Sequence, residues 1–161
     1  MKTTTIELFK EGMKFSAGHF TIFSETEREN LHGHNFNVYV SITAEILENG
    51  MCFDYGIYKK RISKLCKEWN EVFILPTKSP YLQIEEDSSY IYALFNKEKI
   101  PFLKRDVLLL PIVNATLEEF SSLMIDKLIS DKSELEKFKI KELVVKVFSG
   151  PGQCALAKWS I

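Results

Sequence analysis

Cysteine is scarce in this chain of 161 residues, which contains three. Cys52, Cys66 and Cys154 are too few and too widely spaced for a disulfide framework or a thiolate metal site. We expect them to be small apolar residues of the interior.

The chain also lacks an excess of basic residues and long apolar runs. Its net charge is −1 with lysine and glutamate interspersed, which excludes the basic footprint of nucleic-acid binding and a polybasic segment for anionic lipid. No run approaches the roughly 18 apolar residues of a membrane span, and the amino terminus has no apolar signal core. These absences favour a cytoplasmic protein with a small-molecule partner. A composition of 45% hydrophobic and 27% charged residues favours one domain over residues 1–161.

Histidine is equally rare, but its three copies are close together. His32 and His34 are two residues apart, so both rings leave the same face of an extended strand, and His19 can approach from a neighbouring strand. Gly33 permits close backbone approach, and the pair shares its face with the apolar positions Phe36, Val38 and Val40. Three neutral imidazoles around one zinc ion leave a fourth position open, as in catalytic sites. The alternative is a structural histidine pair without metal.

Hydrophobic periodicity predicts an α+β protein in the order β-β-α-α-β-β. The first half reads as a strand over 4–18, a second strand over 34–46 that returns briefly over 51–53, and a helix capped by Asp54. An extra hairpin is predicted at about 80–104, with Glu85–Ser89 as a solvated acidic tip.

The second half begins with a helix that follows Asn114-Ala-Thr116 and continues through Leu128. The chain closes with an antiparallel pair over 142–148 and 154–159.

Several ordered motifs in this pattern resemble the 6-pyruvoyl-tetrahydropterin synthase family, which includes the 6-carboxytetrahydropterin synthases. They are Phe15-Ser-Ala-Gly-His19, Leu31-His-Gly-His34-Asn-Phe-Asn-Val38, Phe53-Asp54-Tyr-Gly, Leu75-Pro76, Asn114-Ala-Thr116 and Gly150-Pro-Gly-Gln153. The resemblance implies the tunnelling fold, a four-stranded antiparallel sheet with two helices on one face. It also implies an oligomeric barrel, typically a hexamer of two trimers with active sites at subunit interfaces.

The same resemblance implies that His19, His32 and His34 hold Zn²⁺ and that the substrate is 7,8-dihydroneopterin triphosphate. A Lewis acid lowers the pKa of bound hydroxyl groups, so a modest protein base can start the reaction.

The catalytic residues depart from the family pattern. No cysteine base stands between His19 and His32, and Glu29 occupies the position at which one subgroup has glutamate. That subgroup cleaves the side chain to 6-hydroxymethyl-7,8-dihydropterin, so Glu29 is the expected base if burial raises its pKa. The alternative is a solvated loop acid.

Further departures concern the remaining site residues. The family's Asp-His pair aligns with Asn70-Glu71, and Glu71 is either a general acid or base or only part of the helix end. Ser149 replaces the glutamate that anchors the pterin ring, and Thr116 matches a pterin-contacting threonine that could equally be a helix cap.

The leading hypothesis is therefore a zinc-dependent pterin lyase. One alternative is a zinc-bound protein that binds pterin or another ligand without synthase activity. Another is a 6-carboxytetrahydropterin synthase-like enzyme with an altered substrate.

Overall fold

The computed structural model describes the whole chain, residues 1–161. The elements are β1 (Thr3–Leu8), β2 (Lys14–His19), β3 (His32–Glu45), α1 (Gly56–Glu68), β4 (Val72–Pro76), β5 (Gln83–Glu86), β6 (Tyr90–Phe95), β7 (Glu98–Leu103), β8 (Val107–Leu110), α2 (Leu117–Leu128), α3 (Lys132–Lys137), β9 (Ile140–Phe148) and β10 (Cys154–Ser160). None of the helices is long and apolar enough to cross a membrane.

The main sheet is built around β3, which has 14 residues and pairs along its whole length. On one side its first half pairs with β2 and its second half with β1, both antiparallel, while β9 and then β10 follow on the other side. The continuous strand predicted over 4–18 is therefore wrong. A turn separates the two strands, closed by the bond from Met13 N to Lys10 O at 2.9 Å.

The predicted antiparallel strands are present, but the sheet has seven strands rather than four. Two parallel strands, β4 and β8, extend it beyond β2. The predicted return strand over 51–53 does not form. Gly50 turns the chain with a φ of 79°, and Cys52 and Phe53 then enter the core instead of pairing.

The two predicted helices form one layer on the sheet, with α1 against β2, α2 against β9 and β10, and the two helices in contact. Asp54 is not the N-cap of α1; Tyr55 holds that position, and Asp54 accepts a bond from Gly56 N at 3.0 Å. The short α3, capped by Asp131, was not predicted. Large aromatic residues fill the space between helices and sheet: Phe15, Phe36, Tyr58, Trp69 and Phe120.

The predicted extra hairpin is a three-stranded antiparallel sheet, β5-β6-β7, which we call the inserted sheet. It packs against β4 and the segment after β2 through a second apolar cluster, which consists of Phe20, Ile22, Leu75, Leu82, Ile91, Ala93 and Phe95. The predicted acidic segment Glu85–Ser89 is exposed as expected, but Glu85 and Glu86 lie within β5 rather than at the tip, and face Lys99 and Lys104 at 3.9 and 2.9 Å.

Candidate metal centre and active-site cleft

The pairing of β2 with β3 brings the three histidines together. His19 lies directly opposite His32, while His34 lies opposite Ala17. One ligand atom from each ring lies within 4.8 Å of the others. Gly33 is needed for this approach, because a Cβ there would stand 2.9 Å from the Ala17 carbonyl oxygen.

Backbone carbonyls fix the orientation of two of the rings. Nδ1 of His19 donates to the Ala115 carbonyl at 2.7 Å, and Nδ1 of His32 donates to the Asn30 carbonyl at 2.7 Å. A carbonyl only accepts, so in both rings Nε2 presents its lone pair. Nε2 of His19 is buried without any hydrogen-bond partner. A buried orphan nitrogen facing two more imidazoles fits the donor set of a divalent metal.

The electrostatics of the cluster favour neutral rings. Burial lowers the pKa of His19, the Ala115 bond opposes this, and His32 and His34 lower it further. Burial and then the proximity of His32 lower the pKa of His34. Neutral imidazole is the form that binds metal.

A cleft of about 390 Å³ opens beside the cluster. The end of β2 and the start of β3 form its floor, and the start of α2 and the β9–β10 turn form its walls. Its lining includes all three histidines together with Thr21, Glu29, Thr116, Glu118, Ser149, Gln153 and Cys154.

Glu29 is tied into this cleft by reciprocal bonds with Thr21. The Glu29 carboxylate atom Oε1 accepts from Thr21 N at 2.9 Å, and Glu29 N donates to Thr21 O at 2.8 Å. The other oxygen, Oε2, lies 4.0 Å from His32 Nε2. Burial raises the pKa of the carboxyl, but the Thr21 bonds and the neighbouring His32 and His19 outweigh burial, and the pKa is lowered overall. The Glu29 carboxylate is therefore hydrogen-bonded within the cleft with 35% of its side chain exposed, and the rise in its pKa that a buried base requires is not found.

The whole chain matches proteins of one family. The family model of 6-pyruvoyl tetrahydropterin synthase matches residues 7–158. The chain belongs to this family. The 6-pyruvoyl tetrahydropterin synthase of Plasmodium vivax is 29% identical, with a TM-score of 0.94 and full coverage of both chains. A variant of that enzyme, in which a catalytic glutamate is replaced by alanine, matches at 28% identity and a TM-score of 0.93 over both whole chains. A protein of Methanocaldococcus jannaschii, provisionally named 6-carboxy-5,6,7,8-tetrahydropterin synthase, is 26% identical over 89% of this chain and 88% of its own length.

Membership of the 6-pyruvoyl tetrahydropterin synthase family confirms the fold class and supports a lyase-type function in pterin metabolism. Enzymes of this family are commonly metal dependent, and the three-histidine cluster gives this member a possible metal site.

Of the other residues singled out in the sequence, Glu71 does not line the cleft that contains Glu29. It follows α1 in a left-handed conformation with a φ of 57°, and its N–H donates to the Ser16 carbonyl at 2.6 Å. Its exposed side chain lines a neighbouring cavity, which also includes Gly33 and His34. Within one protomer, therefore, the structure does not bring Glu71 to Glu29.

Thr116 and Ser149 both line the cleft of this family member. Thr116 is also the N-cap of α2, since its hydroxyl accepts from Glu119 N at 3.3 Å. Ser149 accepts a bond from Gln153 Nε2 at 2.8 Å. Thr116 can thus cap α2 and also line the cleft.

Sequence reasoning missed two features of the site. Glu118 puts a carboxylate into the cleft from the first turn of α2, and its position two residues after a capping threonine was an available signal. The side-chain amide of Asn114 accepts from Ile22 N at 3.1 Å and donates to Ile22 O at 2.8 Å. It thus makes the same pair of bonds with Ile22 that the backbone of a neighbouring β-strand would make. It thereby fixes the Ala115 carbonyl that orients His19, and no local pattern predicts this contact.

Proposed function

We propose that this protein is a zinc-dependent pterin lyase that cleaves 7,8-dihydroneopterin triphosphate to 6-hydroxymethyl-7,8-dihydropterin, with Glu29 as the base. The observation that carries the proposal is the Glu29 carboxylate, held in the same cleft as three converging imidazoles. A catalytic glutamate in the related Plasmodium vivax enzyme supports the same role.

His19, His32 and His34 are the residues that would hold the metal. When bound, zinc supplies a Lewis acid that lowers the pKa of substrate hydroxyl groups and orients them. The protein favours the neutral form of His19 and His34, and it fixes the rings of His19 and His32 through the Ala115 and Asn30 carbonyls.

The arrangement of Glu29 suits proton transfer. Oε1 is engaged by Thr21, which leaves Oε2, on the side of His32, free to take a proton. The carboxylate is ionised at neutral pH, as a base must be, although its pKa is lowered rather than raised. Removal of the proton from the hydroxyl on the second side-chain carbon lets that oxygen form an aldehyde carbonyl while the bond between the first and second side-chain carbons breaks. The aldehyde leaves with the triphosphate, and the electron pair of the broken bond stays on the first carbon. The proton then returns to the carbon attached to the pterin ring.

Polar groups on the cleft walls suit a pterin ring. Thr116 and Ser149 offer hydroxyl groups, and Glu118 offers a carboxylate that can accept bonds from the amino and N–H donors of the ring. The cleft therefore keeps an acidic acceptor although Ser149 stands at the position of the family's anchor glutamate.

A product assay tests this proposal. Zinc-loaded protein is incubated with 7,8-dihydroneopterin triphosphate and the products are separated by chromatography. We expect 6-hydroxymethyl-7,8-dihydropterin, and we expect Glu29→Gln to lower kcat by about 10²- to 10⁴-fold with zinc retained. Cys154→Ser serves as the matched comparison because this exposed thiol lines the same cleft. Turnover that survives Glu29→Gln but not Cys154→Ser would assign the base to the thiol.

A second candidate is a ligand-binding protein without turnover. It is favoured by the absence of Glu71 from the lining of the cleft that holds Glu29 and by the neutral Ser149. Calorimetric binding of the substrate to zinc-loaded protein without any product would support it. Release of 6-carboxytetrahydropterin in the same assay would instead support the activity for which the Methanocaldococcus jannaschii relative is named.

A further inference from the structure

The loop that carries Glu29 is attached to the inserted sheet by the preceding residue. Nη1 of Arg28 donates to the Glu29 backbone carbonyl at 2.9 Å, and Nη2 donates to Glu98 Oε1 at 3.3 Å. The guanidinium carbon also lies 5.3 Å from the centre of the Phe20 ring and 5.9 Å from that of Phe95. With 15% of its side chain exposed, Arg28 is one of the least exposed cations of the protein.

Arginine suits this place because its planar head can donate from two corners while its face contacts aromatic rings. Phe95 ends β6 of the inserted sheet and Phe20 directly follows β2; they are 2% and 1% exposed and belong to the same apolar cluster. Glu98 is the first residue of β7, immediately after the tight turn that joins β6 to β7. Arg28 therefore contacts the inserted sheet at two places, the buried Phe95 ring and the Glu98 carboxylate at the start of β7.

Short connections lead from Arg28 to the carboxylate in the cleft. Arg28 forms an antiparallel bridge with Ile22, and the adjacent Glu29 N–H donates to Thr21 O. Because Arg28 also holds the Glu29 carbonyl, both backbone polar groups of Glu29 are fixed. The fixed backbone of Glu29 then holds its side chain in the position from which Oε1 accepts the bond from Thr21 N.

We propose that Arg28 is a positioning residue, through which the inserted sheet fixes the Glu29 carboxylate relative to the three histidines. This inference rests on the proposed role of Glu29 as base. Arg28 does not line the cleft, so its effect on the reaction passes through Glu29.

Steady-state kinetics of Arg28→Met test the proposal. We expect kcat to fall by about 10- to 100-fold, as for a displaced catalytic group, while KM stays within about twofold and zinc content is unchanged. Arg61→Met is the matched control, because Arg61 also donates to a carboxylate, Glu134, and also lies 5.3 Å from an aromatic ring centre, that of Tyr58. Like Arg28 it does not line the cleft, but its side-chain bonds go to Glu134 and not to Glu29. We expect Arg61→Met to lower Tm without changing kcat.

A double-mutant cycle separates positioning from general stability. In the Glu29→Gln background, Arg28→Met has no carboxylate left to displace, so we expect it to leave the residual kcat unchanged while still lowering Tm. An equal loss of kcat in both backgrounds, or an equal loss in Arg61→Met, would overturn the positioning role.

Two further outcomes distinguish a failure of the Arg28 role from a failure of the Glu29 role. Normal kcat in Arg28→Met, together with loss of activity in Glu29→Gln, overturns the role of Arg28 alone. Full turnover in Glu29→Gln overturns the role of Glu29 itself. If Arg28→Met does not fold, Arg28→Lys replaces it in the cycle. It keeps the charge, but a lysine head cannot bond to both partners and lie against both rings, so we expect a reduced kcat there too.

Discussion

His19 is the most firmly held of the three histidines. It is 7% exposed, its Nδ1 is bonded to the Ala115 carbonyl, and its Nε2 has no partner other than the neighbouring rings. His32 has one carbonyl bond and is more exposed. The cluster therefore combines one buried, pre-oriented nitrogen with two that remain accessible from the cleft, which suits a site that must bind metal and also admit a ligand.

At the residue scale, we expect His34→Ala to abolish stable zinc binding. Two imidazoles remain, and a catalytic zinc site takes three protein ligands. The prediction is a fall from about one zinc per chain to near zero after dialysis against a weak chelator, measured by elemental analysis. Asn37→Ala, an exposed change on the same strand, is the control and should retain zinc. Equal retention of zinc in both variants would contradict the role of His34 as a ligand.

At the element scale, the position of the site depends on how closely β2 and β3 approach. Gly18 and Gly33 face each other at the point where the strands carry the histidines. The turn that ends β1 early is equally important, because it lets β2 begin a separate pairing with the first half of β3.

Gly33→Ala tests this approach. Its new Cβ would meet the Ala17 carbonyl oxygen at 2.9 Å, so the strands must separate, and we expect a loss of about 1–3 kcal/mol in the free energy of unfolding together with weaker zinc binding. Gly12→Ala is the matched control. Nothing lies within 4 Å of its added Cβ, and its stability should stay within about 0.5 kcal/mol of the parent protein. Urea denaturation measures both, and equal stability in the two variants would contradict the close approach.

At the scale of the whole molecule, the histidine cluster links stability to pH. In the metal-free protein the pKa values of His19 and His34 lie below the ordinary value of 6.5, so around and below that pH the unfolded chain binds more protons than the folded one. Stability is therefore fully present above about pH 6.5 and declines as the pH falls below it. Asp87, whose pKa is lowered to about 2 by Tyr92 and the following backbone N–H groups, adds a loss only at much lower pH.

Denaturation of the metal-free protein at pH 7.5, 6.5 and 5.5 checks this pH dependence. We expect stability to fall across the series and to fall less in His34→Asn. A flat profile would show that the rings are not kept neutral by the fold. Zinc-loaded protein should decline more steeply, because protons compete with the metal for the ligands.

The free edges of the main sheet are candidate surfaces for the assembly of an oligomer. The outer sides of β10 and β8 have no partner strand, and Leu156 on β10 is 53% exposed. Open edges with apolar side chains are typical of surfaces that pair with other chains. We propose the homohexamer that the family resemblance implies, and native mass spectrometry should then find six times the 18.6 kDa chain mass. A monomer at micromolar concentration would contradict this assembly.

The sequence by itself determined the features that depend on neighbouring residues. Two-residue spacing placed His32 and His34 on one face, alternation located β3 and β9, and the order of polar and acidic residues located the start of α2 at Thr116. These follow from strand periodicity and helix capping, which act over a few residues.

Only the tertiary structure decided the features that join distant segments. The Ala115 carbonyl meets His19 across 96 positions, and Asn114 pairs with Ile22 across 92. The split of the first strand, the parallel additions β4 and β8, and the absence of Glu71 from the lining of the cleft that holds Glu29 also required the assembled sheet. Such contacts arise from the packing of whole elements, so no local pattern in the chain encodes them.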